Sequence, residues 1–161
     1  MPTPTIRVTV DADNDRLVEA IIDQQEYERK LHDTRRPGAQ MARPYLEYLK
    51  TKVASSNGSL LVAELDGAFA GYAACWIQHD NNVAETDDSN RYGYVADTYI
   101  VPDFRGQGLA ASLLEAAERL LRQRNVSRMR ITSLADNQSA LRAYIKSGFS
   151  QYEIVMEKRV R

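Results

Sequence analysis

The sequence is poor in the residues that build disulfides, metal sites and membrane spans. A lone cysteine, Cys75, among 161 residues can close no internal disulfide, which fits a reducing compartment. It sits in the apolar run YAACWI, the setting of a buried packing residue more than of a catalytic thiol. The two histidines, His32 and His79, are far apart and in no ligand-like spacing, so no metal is expected. No apolar run approaches the ~20 residues that span a bilayer. The opening MPTPTIRVTVDADND lacks the basic stretch and apolar centre of a secretory leader. An excess of charge is missing too: 21 basic against 22 acidic residues leave a net charge of −1, with no global pull toward nucleic acid or membrane. These absences leave a soluble cytoplasmic domain as the expectation, and 43% hydrophobic residues suffice for one core.

What is present is a periodic pattern of short apolar segments. TIRVTV (5–10) reads as a strand. Asp13 offers an N-cap to a helix striped by Leu17, Val18, Ile21, Ile22 and Leu31, which Arg36-Pro37-Gly38 breaks. A second helix is expected over 39–53, with Met41, Tyr45, Tyr48 and Leu49 on its apolar side. SLLVAELDGAFAGYAACWIQ reads as two strands joined at Asp66-Gly67, a strong hairpin signal. The polar stretch 79–91 has a loop's composition; its Glu85, Asp87 and Asp88 suit either a solvated turn or a charge filter for a substrate. YGYVADTYIV reads as a fourth strand. Strict alternation puts Tyr94, Ala96, Thr98 and Ile100 on one face and Val95, Asp97, Tyr99 and Val101 on the other. A helix over about 107–122 follows, then the strand RMRITS. A last helix starts near Asp136 or Asn137, buries Leu141, Tyr144 and Ile145, and ends at Gly148. From about Tyr152 a closing strand is expected, with an edge compatible with a homodimer. The order β-α-α-β-β-β-α-β-α-β predicts a mixed α/β sheet in one domain over 1–161.

Two glycines, Gly106 and Gly108, stand between the fourth strand and its helix. Helix N-termini carry unpaired N–H groups and partial positive charge, glycine lets an anion approach without meeting a Cβ, and Arg105 adds a permanent cation. A phosphate or pyrophosphate cradle at 105–110 follows. A Walker loop requires Lys-Ser/Thr after its last glycine, and Leu109-Ala110 stand there instead. The dinucleotide fingerprint G-x-G-x-x-G/A is matched by 106–111, but the acidic ribose ligand about 20 residues on is replaced by arginines, and only one helix and one strand follow Arg130.

The third option accounts for more of the chain. Arg105-Gly106-Gln107-Gly108-Leu109-Ala110 fits Q/R-x-x-G-x-G/A, and Asn137-Gln138-Ser139-Ala140 with Tyr144 and Ser147-Gly148-Phe149 fits N-x-x-A-x-x-x-Y-x-x-x-G-F. Both motifs, in register across RMRITS, resemble the GNAT superfamily of acetyl-CoA-dependent N-acetyltransferases. That resemblance implies a mostly antiparallel mixed sheet with a splayed strand pair that binds coenzyme A. Acceptor-side elements would then occupy 5–93, the acetyl-CoA core 94–150 and the closing strand 151–161. It implies that backbone groups around Ile100 and Val101 pair with the pantetheine arm, and that an N–H near Tyr99 or Ile100 polarises the thioester carbonyl. Residues 105–110 would hold the pyrophosphate, with Asn137 and Ala140 at the mouth of the last helix.

The same resemblance implies an activity. Acetyl-CoA would serve as co-substrate and a primary amine as acceptor, attacking directly in a ternary complex without a metal. An amine of pKa ~10.4 must lose a proton to attack, and the leaving thiolate gains one. Tyr144 matches the family's acid. Relatives often carry a glutamate where this chain has Ala96, which leaves Asp97 as the nearest candidate base. The acceptor pocket is expected from the first two helices, their connection and loop 79–91. Tyr27, Tyr45, Tyr48, Glu26, Glu28 and Glu47 would suit a cationic amine, while Arg29, Lys30, Arg35, Arg36 and Arg43 would suit an acid. A small-molecule acceptor is favoured, with a protein lysine or N-terminus, or a non-catalytic acyl-CoA-binding module, as alternatives.

Overall fold

Asp66 and Gly67 take left-handed backbone, φ +51 and +79, and fold the chain back on itself as the hairpin signal predicts. The strands they join, β2 (Ser59–Leu65) and β3 (Ala68–His79), form the centre of a five-stranded sheet. In this computed structural model, which describes residues 3–160, β1 (Thr5–Val8), β4 (Arg91–Ile100) and β5 (Met129–Ile131) complete the order β1-β2-β3-β4-β5. Met1, Pro2 and Arg161, part of the expected domain, lie outside the described residues. Every pairing is antiparallel except β4 with β5. The glycine-bearing strand β4 therefore has an antiparallel neighbour, unlike the parallel sheet of a dinucleotide fold.

Helices cover both faces because both faces of β2 and β3 are apolar. α1 (Asn14–Arg29) and α2 (Gly38–Ser55) bring Leu17, Ile21, Leu46 and Leu49 onto Val62, Tyr72 and Trp76. On the other face α4 (Leu109–Gln123) lays Leu113, Leu114 and Ala117 on Leu61, Cys75 and Val95. α3 (Asp87–Asn90) is a single turn before β4, and α5 (Gln138–Lys146) follows β5. Among the described residues no helix is long and apolar enough to cross a membrane.

Three expectations are corrected. Asp13 does not cap α1 with its side chain; its carboxylate accepts the Val10 N–H at 2.8 Å and binds Arg7, which also reaches Glu64. Ile145 of α5 is not buried but 64% exposed. The closing strand is not formed either: 149–160 have no regular structure, and Ile154, Val155 and Met156 are all exposed. Phe149 still holds to α5, its N–H given to the Tyr144 carbonyl at 3.0 Å and its ring against Tyr144. Beyond it side chains tether the tail, Tyr152 on the Arg130 guanidinium at 4.5 Å, Glu157 3.7 Å from His32 and Arg159 on Asp33. Arg130 lies between Tyr92 and Tyr152 and is held by Ser89, so at Tyr152 the tail is anchored by a stacked cation, not by a ladder on β5.

Candidate active site

Opposite β3, Ala74 pairs with Asp97 and Cys75 with Val95, which leaves Ala96 without a partner of its own. This is a bulge in β4, and it breaks the strict alternation expected there. Tyr94 and Ala96 pack toward α1 and α2, and Asp97 faces the same helices, bonding to side chains from both. Asp97 and Ala96 thus share a side instead of opposing each other. A bulge bends and twists its strand, and here β4 leaves β5 at the same place: their ladder covers only Gly93–Val95 and Met129–Ile131.

Beyond that point a cleft of about 270 Å³ opens between β4 and the segment after β5. Ile100, Arg105, Gly106, Gly108, Leu109, Ala110, Asn137 and Ala140 line it, with Tyr144 and Asp97; Val101 and Gln107 do not. The Val101 N–H is already given to the Ala70 carbonyl at 2.9 Å, and its side chain packs in the core beside α1 and α2. Backbone groups alternate between neighbours in an antiparallel strand, so Ile100 turns its N–H and C=O to the cleft. Arg105 reaches back over the Tyr99 ring and donates Nε to that carbonyl at 3.0 Å. Gly106 and Gly108 have φ of +76 and +78, and a Cβ on either would meet nothing within 4 Å. The glycines thus serve the backbone turn and leave open space before the first N–H groups of α4. Asn137 caps α5, its Oδ1 accepting the Ala140 N–H at 3.2 Å. Thr98 Oγ1 is buried with no hydrogen-bond partner among the described residues, and Thr98 lines the cleft. An anion-ready helix mouth, an outward-facing strand edge and an orphaned hydroxyl fit a long ligand ending in phosphates.

A second cavity, of about 430 Å³, lies between the sheet and α1 and α2, and shares the walls Gln24, Glu28, Ala96, Asp97, Thr132 and Ser133 with the first. Asp97 sits at the junction. Its two oxygens accept from Gln24 Nε2 at 2.9 Å and Tyr45 OH at 2.7 Å, and Tyr72 OH donates to Gln24 Oε1 at 2.6 Å. Burial pushes the Asp97 carboxyl up to about 6, against the lowering effect of both donors. Tyr144, packed against Phe149, is pushed up by burial and then by the charges of Asp97 and Glu28, so its phenol stays protonated at neutral pH. Glu28 is paired with Arg35, whose Nε donates to it at 2.6 Å.

Several of these groups were missed in the sequence. Gln24 stands at helical spacing from Ile21, a polar residue on an apolar stripe, which is a readable sign of a polar site facing the sheet. Thr132 and Ser133 gave no such sign. Of the acceptor-side residues named above, Tyr27 lines the first cavity, Tyr45 and Arg35 the second and Glu28 both; Tyr48, Glu26 and Glu47 line neither. Nor does any residue of 79–91, so the acids Glu85, Asp87 and Asp88 are not walls of the site. That loop instead holds the start of β5, through Asp88 on Arg128 at 2.7 Å and Ser89 on Arg130.

Comparison with known proteins agrees with this geometry. Residues 15–149 match the Acetyltransferase (GNAT) family. An uncharacterised N-acetyltransferase of Archaeoglobus fulgidus is 31% identical over 78 residues, 48% of this chain and 50% of its own. An aminoglycoside N(6')-acetyltransferase type 1 of Klebsiella aerogenes is 29% identical over 105 residues, 65% of this chain and 67% of its own. The chain thus spans about half the length of the first curated relatives it matches. A crystal structure of an aminoglycoside N-acetyltransferase in complex with CoA superposes with a TM-score of 0.71 at 18% identity, over 100% of this chain and 97% of that one.

Proposed function

Since the chain belongs to the GNAT family of acetyltransferases, we propose that it transfers the acetyl group of acetyl-CoA to a primary amine of a small molecule by direct attack in a ternary complex. The observation that carries this reading is the meeting of two cavities at Asp97, one suited to a phosphate-bearing ligand and one walled by side chains of α1, α2 and the sheet. An acceptor cavity walled by α1, α2 and the sheet supports a small molecule over a peptide.

Acetyl-CoA would lie in the cleft with its pyrophosphate at Gly106–Ala110 and its thioester near Ile100, whose N–H is directed there to stabilise negative charge on the carbonyl oxygen. The amine nitrogen attacks the carbonyl carbon, the new C–N bond forms and the C–S bond breaks. A carboxylate of pKa about 6 is too weak to strip a free ammonium of pKa ~10.4, so the acceptor gives that first proton to solvent and attacks as the free amine. Asp97 therefore receives the proton shed as the nitrogen becomes an amide, when that nitrogen is far more acidic. Tyr144 gives its proton to the departing thiolate, and solvent restores both groups. Because Asp97 reaches the cavity from a bulged strand, it stands in the role that a glutamate at the Ala96 position plays in many relatives.

Isothermal titration with acetyl-CoA, CoA and NADP(H) tests the reading. Micromolar binding of acetyl-CoA, lost in Gly108→Glu, is expected, followed by thiol release when amines are added. Binding of NADP(H) alone, or of no coenzyme, would overturn it.

A further inference from the structure

The charges and donors of the acceptor cavity are already spoken for, and this limits what can enter it. Three charged side chains line it: Asp97, Glu28 and Arg35. Arg35 and Glu28 are bonded to each other, so Asp97 is the one uncompensated charge. Most donors of the polar neutral groups are engaged internally as well. Tyr45 OH and the Gln24 amide go to Asp97, Tyr72 OH to Gln24, and the Gln25 amide to the Arg36 carbonyl. Tyr94 OH bonds Thr132, and Ser133 Oγ donates to the Leu134 carbonyl. Besides the second Glu28 oxygen, the Gln25 carbonyl and spare acceptor positions on the hydroxyls, what remains open is hydrocarbon from Met41 and Leu134 and the faces of tyrosine rings.

Resting on the acetyl-transfer reading, we infer that the acceptor is a compact amine with one positive charge, no further charge and an apolar, hydroxyl-poor body. One ammonium neutralises Asp97 and completes the cavity's charge balance. A second ammonium would face the Arg35 guanidinium with no free acid to offset it, since the acids of 79–91 lie off the walls. An acceptor carboxylate would compete with Glu28 for Arg35 beside the Asp97 charge. A polyhydroxylated body would lose its water and find few unengaged partners, which costs free energy for each stranded hydroxyl. The specificity therefore differs from the one that the name of the Klebsiella aerogenes relative suggests.

The test pairs acetyl-CoA titration with kcat/KM for phenethylamine, phenylalanine, spermidine and kanamycin, measured by thiol release. Phenethylamine is expected to exceed each of the others by at least about tenfold, as one uncompensated charge in a partly buried site requires. Two variants push the selectivity in opposite directions. Arg35→Met frees Glu28 and should raise the spermidine-to-phenethylamine ratio at least about fivefold, whereas Glu28→Gln frees Arg35 and should lower it. Loss of packing alone would not move the ratio both ways. Spermidine or kanamycin turned over as well as phenethylamine would overturn the inference while leaving acetyl transfer standing. Ratios that do not diverge, or acetyl-CoA binding without acetylation of any of the four, would overturn the inference too. Failure to bind acetyl-CoA would instead remove the reading beneath it.

Discussion

Asp97 pays for its position. A carboxyl taken from its ordinary 3.8 to about 6 by burial costs the folded chain about 3 kcal/mol at neutral pH. The folded state holds this proton more tightly than the unfolded one, so the group favours folding at low pH and loses that advantage as the pH rises from 3.8 through about 6. Asp97→Asn removes this dependence without breaking the network: the new amide donates to a turned Gln24, whose Nε2 then donates to Tyr72. Urea melts should find the variant more stable than the wild type at pH 7.5, by up to about 3 kcal/mol, with the gap closing toward pH 4. Its turnover should fall at least about tenfold, since an amide accepts no proton. An unchanged rate would remove Asp97 from the chemistry. For Tyr144, substitution by Phe keeps the contact with Phe149 and deletes the hydroxyl proposed to give the proton. The expected result is a kcat lower by about a hundredfold with acetyl-CoA affinity held within about twofold; equal rates would assign the proton to water.

At the scale of elements, the glycines divide into two kinds that one substitution series separates. At Gly108 a side chain meets nothing in the protein, so Gly108→Ala should cost the fold only about 1 kcal/mol for its left-handed backbone. It should nevertheless weaken acetyl-CoA binding at least about tenfold, because the proposed site puts the pyrophosphate in that open space. Gly71 is the reverse case: a Cβ there would lie 2.3 Å from the Tyr99 carbonyl oxygen, where β3 and β4 press together. Gly71→Ala should lower stability by about 2 kcal/mol or more and reach coenzyme binding only through unfolding. Thermal melts with and without acetyl-CoA distinguish the two. The hairpin, both motif helices and the α5 cap were legible because each rests on a local rule, a turn dipeptide, an apolar period or an Asn at the helix mouth. The bulge at Ala96 was not, because a bulge adds a residue without changing composition, and only the pairing with β3 reveals it.

For the whole molecule, two faces of one sheet carry the core, and the C-terminal end adds little to it. α5 has no fully buried residue, and Ile154, Val155 and Met156 are 71%, 89% and 86% exposed. Chymotrypsin is expected to cut first near Tyr152, leaving a body that still binds acetyl-CoA; a tail as resistant as the core would mean that it is covered in solution. The sequence by itself determined the family, the glycine turn before α4, the helix and strand order as far as α5 and the placing of Asn137 and Tyr144 on one helix, because these are written in short-range spacing. Tertiary structure alone decided that Asp97 turns toward α1 and α2, that Glu28 is cancelled by Arg35, that the acids of 79–91 stand away from the site, and that the tail stays out of the sheet. Each of these depends on which distant residue arrives opposite a given side chain, and no local period encodes that.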